Sequence, residues 1–187
     1  MNNSDAAYNR FALVKEMLDT AQVVRRFPLD RVRDMPAPRD RLVLTGEGSS
    51  HIFPAGHAAH TAMRTGSRRQ VLGTSATAAG EFDLTGSTVF VASNSGKTAE
   101  CVRLIRGLRA GGFDCDIYGM AGDGSAPVAA EADRAYTLTC GAEDAVAATK
   151  SVVEQALFYD IYLRIHDGRP LPDLEALAAS IEQVLTM

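Results

Sequence analysis

The sequence contains few of the features that mark disulfide-rich or metal-binding proteins. Its three cysteines, Cys101, Cys115 and Cys140, are far apart and form neither a C-x-x-C pair nor a Cys/His cluster at metal-ligand spacing. We therefore expect no disulfide framework, no metal ion and no other cofactor. An odd number of isolated thiols fits a reducing compartment, so the expected location is the cytoplasm.

Long apolar runs and an excess of positive charge are also missing. No segment reaches the roughly 18 apolar residues of a membrane span, and the polar N-terminus has no apolar stretch of the signal-peptide kind. The net charge of −4 and the pI near 5.5 give no basic field that would hold a polyanion. We expect neither a membrane nor a nucleic acid as partner, whereas a small anion needs only a local site.

What the chain does contain is an alternation of short apolar strands with helical patterns. Its 187 residues, 46% of them apolar, suit a single domain with a sizeable core. The alternation predicts a parallel sheet covered by helices on both faces. A helix over 5–26, capped by Ser4, is predicted before the sheet, and a helix over 174–185 is predicted after it. The predicted strands are 41–45, 70–73, 87–92, 114–120 and 135–139.

One predicted helix, from Val146 to about His166, is apolar almost all the way round. A helix of this kind is buried either in a core or in a subunit interface. Because it needs apolar partners on more than one face, we expect the protein to form oligomers through it.

The stretch from Val89 to Glu100 combines a buried strand, a turn rich in hydroxyl groups and the start of a helix. Ser93, Ser95 and Thr98 supply the hydroxyls, and Gly96 lets the backbone approach a ligand closely. The free N–H groups of the new helix point into the same space, which favours an anion such as phosphate. The spacing is not that of a Walker A loop. The alternative interpretation is a well-capped helix start.

A second turn of glycines and serines, Gly46–Ser50, ends the first strand. In parallel sheets, ligands bind beyond the carboxyl ends of the strands, at the point where strand order reverses. If the first and third strands flank that point, this turn and the turn after Val89–Ala92 face a single crevice. Their coincidence favours a ligand site over simple helix capping.

Three segments together resemble the SIS (sugar isomerase) domain family, which binds phosphosugars. They are Gly46–Ser50, Ser93–Thr98 and Glu143–Lys150, and the resemblance covers about residues 40–165. It is greatest to the first of the two SIS halves in glutamine–fructose-6-phosphate transaminases. The resemblance implies a five-stranded parallel sheet of flavodoxin-like type in a three-layer αβα sandwich. It also implies a homodimer or homotetramer with sites near subunit boundaries.

Carried over position by position, the resemblance also implies the ligand contacts. The second turn would hold the phosphate of a sugar phosphate, the first turn would contact the phosphate or the sugar, and the third segment would line the sugar through its backbone. The residues so implied are Ser93, Asn94, Ser95 and Thr98 in the second turn, Ser49 and Ser50 in the first, and Val146 and Ala147 in the third. One departure matters: in the two-half enzymes the catalytic groups lie largely in the second half, and this chain has only one.

Aldose–ketose isomerisation moves a proton between adjacent carbons and needs a base that works near neutral pH. The candidates are Glu81 after the second strand, Glu143 before the sugar-lining segment, and His51 at a helix N-terminus. The two carboxylates could equally be solvated loop residues. The leading hypothesis is an isomerase of a sugar phosphate, with aminosugar phosphates as one candidate substrate class. The alternatives are a non-catalytic phosphosugar-binding sensor or regulatory protein and, with less support, a nucleotide-binding flavodoxin-like protein.

Overall fold

A computed structural model of the protein describes residues 10–186, and its centre is one five-stranded parallel sheet. The strand order is β2-β1-β3-β4-β5, which confirms the predicted flavodoxin-like sheet. The central strand β3 is buried at every position, as its unbroken apolar and β-branched run predicts. The strands are β1 Arg41–Gly46, β2 Gln70–Ser75, β3 Ser87–Ala92, β4 Asp116–Ala121 and β5 Arg134–Thr137.

Helices cover both faces of the sheet and complete the αβα sandwich. One apolar cluster joins one face of the sheet with α1, α2, α3, α7 and α8, and a second joins the other face with α4, α5 and α6. These helices are α1 Ala12–Arg25, α2 Leu29–Arg33, α3 Gly56–Arg64, α4 Ala76–Ala79, α5 Ala99–Ala110, α6 Pro127–Ala130, α7 Lys150–Asp167 and α8 Leu174–Thr186. A π-helical turn, His51–Ala55, leads directly into α3. No helix within residues 10–186 is both long and apolar enough to cross a bilayer.

The first helix differs from its prediction. Within the described residues α1 begins at Ala12, and Phe11 before it is extended and exposed. The predicted start over residues 5–9 and the predicted cap Ser4 lie outside the described residues. The buried face of α1 carries Val14, Ala21 and Val24, and α1 packs against α7 and α8.

The long apolar helix α7 begins at Lys150 and not at Val146, so that prediction of its start was wrong. The carboxylate of Glu143 accepts the N–H groups of Thr149 and Ser151, which ends the preceding loop there and starts the helix. The apolar faces of α7 are used inside the chain, where the helix packs against the sheet and against α1, α2 and α3. Its apolar character is therefore explained by the core.

An aromatic cluster fixes α7 on the sheet. Phe90, at the middle of β3, makes edge-to-face contacts with Phe158, Tyr159 and Tyr162 of α7, with ring centroids 5.2–5.6 Å apart. Such pairs add about 0.5–1.5 kcal/mol each beyond the area they bury. The cluster thereby sets where α7 starts relative to the carboxyl end of β3.

The reversal of strand order lies between β1 and β3. These strands pair in parallel with Gly46 opposite Ala92, so their carboxyl ends are level. β2 lies beyond β1 on one side and β4 lies beyond β3 on the other. The turns after β1 and β3 therefore open into the same crevice, which is where open parallel sheets bind their ligands.

Candidate functional site

The turn after β3 brings three hydroxyl groups together. Ser93 Oγ lies 2.7 Å from Thr98 Oγ1 and 3.5 Å from Ser95 Oγ. Thr98 is the residue before α5, yet its side chain makes no capping hydrogen bond to that helix. The capping interpretation therefore does not account for Thr98, whose hydroxyl faces Ser93 instead. The N-terminal N–H groups of α5 follow directly and add the positive end of a twelve-residue helix.

The backbone of this turn is held in place by its neighbours. Gly96 has φ +65°, and a Cβ there would overlap the Cβ of Ala126. The Gly96 carbonyl accepts the N–H of Val128 at 3.0 Å, and the Asn94 carbonyl accepts the N–H of Gly122 at 2.8 Å. A glycine is thus required at position 96 both by backbone conformation and by the close approach of the segment before α6.

The turn after β1 supplies one side chain to the crevice. Ser50 is 8% exposed and lines the cavity, whereas Ser49 is exposed and lies outside it. A Cβ at Gly46 would lie 2.9 Å from both the Ala92 carbonyl oxygen and the Ser50 Cβ, so the packing at the end of β1 leaves no room for a side chain there. Glu47 turns away from this cavity and accepts the N–H and hydroxyl of Thr77, each at 2.9 Å.

Glu143 joins the turn after β3 to the segment before α7. One carboxylate oxygen accepts Asn94 Nδ2 at 2.8 Å and the hydroxyl of Ser151, and the other accepts the Thr149 N–H at 2.7 Å. The Thr149 hydroxyl at 3.0 Å and the Ser151 N–H at 3.3 Å complete the set. Burial alone would raise the pKa of Glu143, but these hydrogen bonds outweigh it and hold the pKa below its usual value. The carboxylate is therefore ionised and surrounded by donors.

These parts enclose a small open cavity of about 240 Å³ beyond the carboxyl ends of β1 and β3. Seven of the predicted site residues line it: Ser50, Ser93, Asn94, Ser95, Thr98, Glu143 and Val146. Ala145 and Ala148 line it as well and were not predicted. Val146 is fully exposed at the rim, and the predicted Ala147 is exposed and outside the lining.

The other two predicted bases lie outside this lining. Glu81 is exposed in the turn that follows α4, where its N–H donates to the Ala78 carbonyl. His51 is partly exposed and begins the π-helical turn, one residue after Ser50. Among the lining residues, Glu143 alone carries an ionisable side chain.

Sequence reasoning missed a second carboxylate next to the site. Glu16 of α1 is buried and accepts the N–H groups of Asp144 and Ala145 from the segment before α7. The sequence offers no signal for this contact, because Glu16 is separated from its partners by more than a hundred residues. Across residues 10–186, no three His, Cys, Asp or Glu side chains are grouped closely enough to hold a metal ion.

Comparison with known proteins shows the fold but no close relative. No protein-family model matches the chain, and no curated protein matches it. Among solved structures, glucosamine-6-phosphate deaminase from Thermotoga maritima aligns with a TM-score of 0.75 and 17% identity over 92% of this chain and 54% of that one. The C-terminal domain of glucosamine-fructose-6-phosphate aminotransferase from Francisella tularensis aligns with a TM-score of 0.69 and 16% identity over 95% of this chain and 55% of that one.

A third structure is similar in size to this chain. It is an Escherichia coli protein solved in complex with a sugar phosphate, with a TM-score of 0.63 and 19% identity over 100% of this chain and 94% of that one. The chain spans about half the length of the Thermotoga and Francisella chains. The sheet and its helices thus have the fold of SIS-type phosphosugar isomerases, as the sequence resemblance implied. The greater likeness to a first SIS half stays a prediction.

Proposed function

We propose that the protein binds a sugar phosphate in the crevice between β1 and β3 and interconverts its aldose and ketose forms. The observation that carries this proposal is the convergence of three hydroxyls and a helix N-terminus beside a segment held by an ionised carboxylate. Hydroxyls and backbone N–H groups at a helix start suit a phosphate dianion. Ala145, Val146 and Ala148 also line the cavity, and the sugar would extend towards them.

In this proposal Glu143 is a positioning group and not the base. Five donors already occupy its carboxylate, and its lowered pKa makes it a weaker proton acceptor. His51 is the better-placed base, because it follows Ser50 directly at the edge of the crevice. Glu81 is farther from the cavity along the chain and is exposed, which leaves it as the second choice.

One observation favours the alternative, a phosphosugar-binding protein without catalysis. Glu143 is the one ionisable side chain in the described lining, and its lone pairs are occupied. If no base reaches the sugar carbons, the cavity can recognise a ligand but cannot move its proton. Binding without proton transfer would then be the function.

The test is a panel of pentose, hexose and aminosugar phosphates in deuterated water, followed by NMR. Abstraction of a proton through an enediol introduces solvent deuterium at carbon 1 or 2, even if little product accumulates. We expect deuterium incorporation with at least one sugar phosphate and none with the unphosphorylated sugars. His51→Asn is expected to slow it by about 10²–10⁴-fold, the usual contribution of a general base.

Two control variants make the test specific. His57→Asn changes an exposed histidine of α3 and is expected to leave the exchange unchanged. Ser95→Ala removes one phosphate donor and is expected to weaken binding by about ten- to 150-fold. Tight binding of a sugar phosphate with no deuterium incorporation across the panel would replace the isomerase by the sensor. Equal affinity for sugars with and without phosphate would contradict both the isomerase and the sensor.

We also propose that the protein is a homodimer or homotetramer, with the cytoplasm as its compartment. The π-helical turn and α3 expose Ile52, Phe53 and Met63 at 71%, 68% and 73%. Large apolar side chains exposed to this extent on one helical segment are consistent with an interface. Sedimentation at tens of micromolar should give an oligomer that Phe53→Ser weakens and Phe113→Ser, on the opposite face of the sheet, does not. A monomeric wild-type protein would contradict the proposal.

The three free cysteines fit a reducing compartment.

A further inference from the structure

The segment between β5 and α7 is held from the side of α1 as well as from the turn after β3. Glu16, in the second turn of α1, is 6% exposed. Its carboxylate accepts the N–H of Asp144 at 2.6 Å and the N–H of Ala145 at 3.2 Å. A further contact, 3.4 Å long, joins it to the Thr149 hydroxyl. Burying a carboxylate is unfavourable unless donors compensate, and here the donors come from the segment that lines the cavity.

Thr149 lies between two carboxylates. Its hydroxyl is 3.0 Å from Glu143 and 3.4 Å from Glu16, so the segment 143–149 is fixed at both ends of its turn. Glu143 ties this segment to Asn94 in the turn after β3, and Glu16 ties it to α1. Apart from the shared Thr149 hydroxyl, the two ties act on different atoms, because Glu16 takes the N–H groups of residues 144 and 145 and Glu143 takes those of residues 149 and 151.

The helix that carries Glu16 is itself firmly placed. Its residues Val14 and Ala21 have buried side chains in the hydrophobic core. At its last turn Arg25 pairs with Glu175 of α8 at 2.9 Å and with Glu182 of the same helix. Contacts with α1, which is held in turn by α8, therefore fix the position of the segment 143–149. Both helices lie outside the stretch 40–165 that resembles the SIS family.

We infer that Glu16 is a positioning residue for the sugar end of the site. The inference rests on the proposed binding of a sugar phosphate. Ala145, whose N–H donates to Glu16, and Val146, which follows it, both line the cavity. The hydroxyls of Ser93, Ser95 and Thr98 are held by other contacts. Glu16 thus sets the affinity for the sugar and leaves the phosphate contacts unaffected.

The test compares Glu16→Gln with Asp19→Asn by amide NMR on the full chain. Both variants remove one negative charge from α1, but Asp19 is exposed. Without ligand, we expect faster hydrogen exchange of the Asp144 and Ala145 amides in Glu16→Gln alone. Titrations with inorganic phosphate and with the tightest-binding sugar phosphate follow. Loss of hydrogen bonds to a charged group predicts a sugar-phosphate affinity about ten- to 150-fold lower in Glu16→Gln. The affinity for inorganic phosphate should stay within about twofold, because the phosphate contacts remain.

The outcomes separate this inference from the proposed function. Unchanged amide exchange in Glu16→Gln, or faster exchange with unchanged sugar-phosphate affinity, overturns the positioning role while the proposed function stands. An equal loss of affinity for phosphate and sugar phosphate also overturns it, since that would be a general disturbance of the fold. If the wild type binds no sugar phosphate, the proposed function fails and the positioning role fails with it. A selective loss in Glu16→Gln, absent from Asp19→Asn, supports both.

Discussion

Replacing Glu143 by Gln tests whether this carboxylate acts by holding the site together. The wild-type side chain accepts three hydrogen bonds on one oxygen and two on the other. Glutamine keeps the shape but loses the charge, and its NH₂ group must face donors. If that group takes the position with two donors, the Ser151 hydroxyl can rotate and accept, but Asn94 loses its acceptor. The remaining bonds become neutral ones.

The expected loss can be estimated from those contacts. A hydrogen bond to a charged group contributes about 1.5–3 kcal/mol, and a neutral one contributes about 1 kcal/mol. The one lost bond alone gives about 1.5–3 kcal/mol, and we take about 2 kcal/mol because Glu143 is only half-buried. Urea unfolding at pH 7 measures this difference. Glu81→Gln is the matched control, since Glu81 is exposed, and should change stability by less than about 0.5 kcal/mol.

The pH dependence gives a second readout. Because the folded pKa of Glu143 lies below its usual value, its ionised form stabilises the fold above the unfolded pKa of about 4.5. That stabilisation is lost as the pH falls through the lowered folded pKa. The difference in unfolding free energy between wild type and Glu143→Gln should therefore be full at pH 7 and shrink below about pH 4.5.

A result that would refute this reasoning is easy to recognise. If Glu143→Gln unfolds within about 0.5 kcal/mol of wild type at every pH, the five contacts do not stabilise the protein. If stability is unchanged while turnover falls by about 10²–10⁴-fold, Glu143 is the base and our assignment to positioning is wrong. Loss of stability together with weaker ligand binding is the outcome we expect.

Two further predictions concern stability away from Glu143. Gly96→Ala should destabilise the fold by more than about 2 kcal/mol in thermal unfolding, because φ is +65° and the added Cβ would meet Ala126. The control, Gly107→Ala in α5, adds a Cβ with nothing within 4 Å and should stabilise the fold by about 0.5–1 kcal/mol. Equal effects of the two substitutions would contradict the close packing at Gly96. Glu154→Gln should cost about 3 kcal/mol in urea unfolding, since this fully buried carboxylate accepts hydrogen bonds from Tyr136 and from the backbone N–H groups of residues 139 and 140. A loss below about 1 kcal/mol would show that those donors find other partners.

The sequence predicted the sheet and the hydroxyl-rich turn after β3 because both depend on local patterns. The run Val89–Ala92 is apolar on both faces, as a central parallel strand requires, and the serines and glycine after it mark the turn. The start of α7 was not predictable in the same way. Residues 146–149 are mostly small and apolar and fit a helix. The N–H groups of Thr149 and Ser151, which such a helix would use, donate to the Glu143 carboxylate instead. Local propensity was overridden there by one side chain from the preceding loop.

The role of Glu143 and that of Glu16 were out of reach of the sequence for different reasons. The sequence predicted Glu143 as a site residue, and it lines the cavity, but its protonation behaviour depends on Asn94 and Ser151, whose side chains meet it only in the fold. Glu16 lies in a helix that reads as ordinary amphipathic packing. Its partners are 128 and 129 residues away, and no spacing rule connects positions that far apart.

The backbone of the turn after β3 has a consequence for the speed of recognition. Its carbonyl groups at Asn94 and Gly96 already accept the N–H groups of Gly122 and Val128, and the Gly96 N–H donates to the Ser93 carbonyl at 3.0 Å. If a phosphate docks here, as we propose, this turn does not have to order first, so its capture should be a first step whose rate rises linearly with ligand concentration. A slower second step would come from the segment before α7, where Val146 is fully exposed. Capture of the anion and adjustment around the sugar would then be separate events in time.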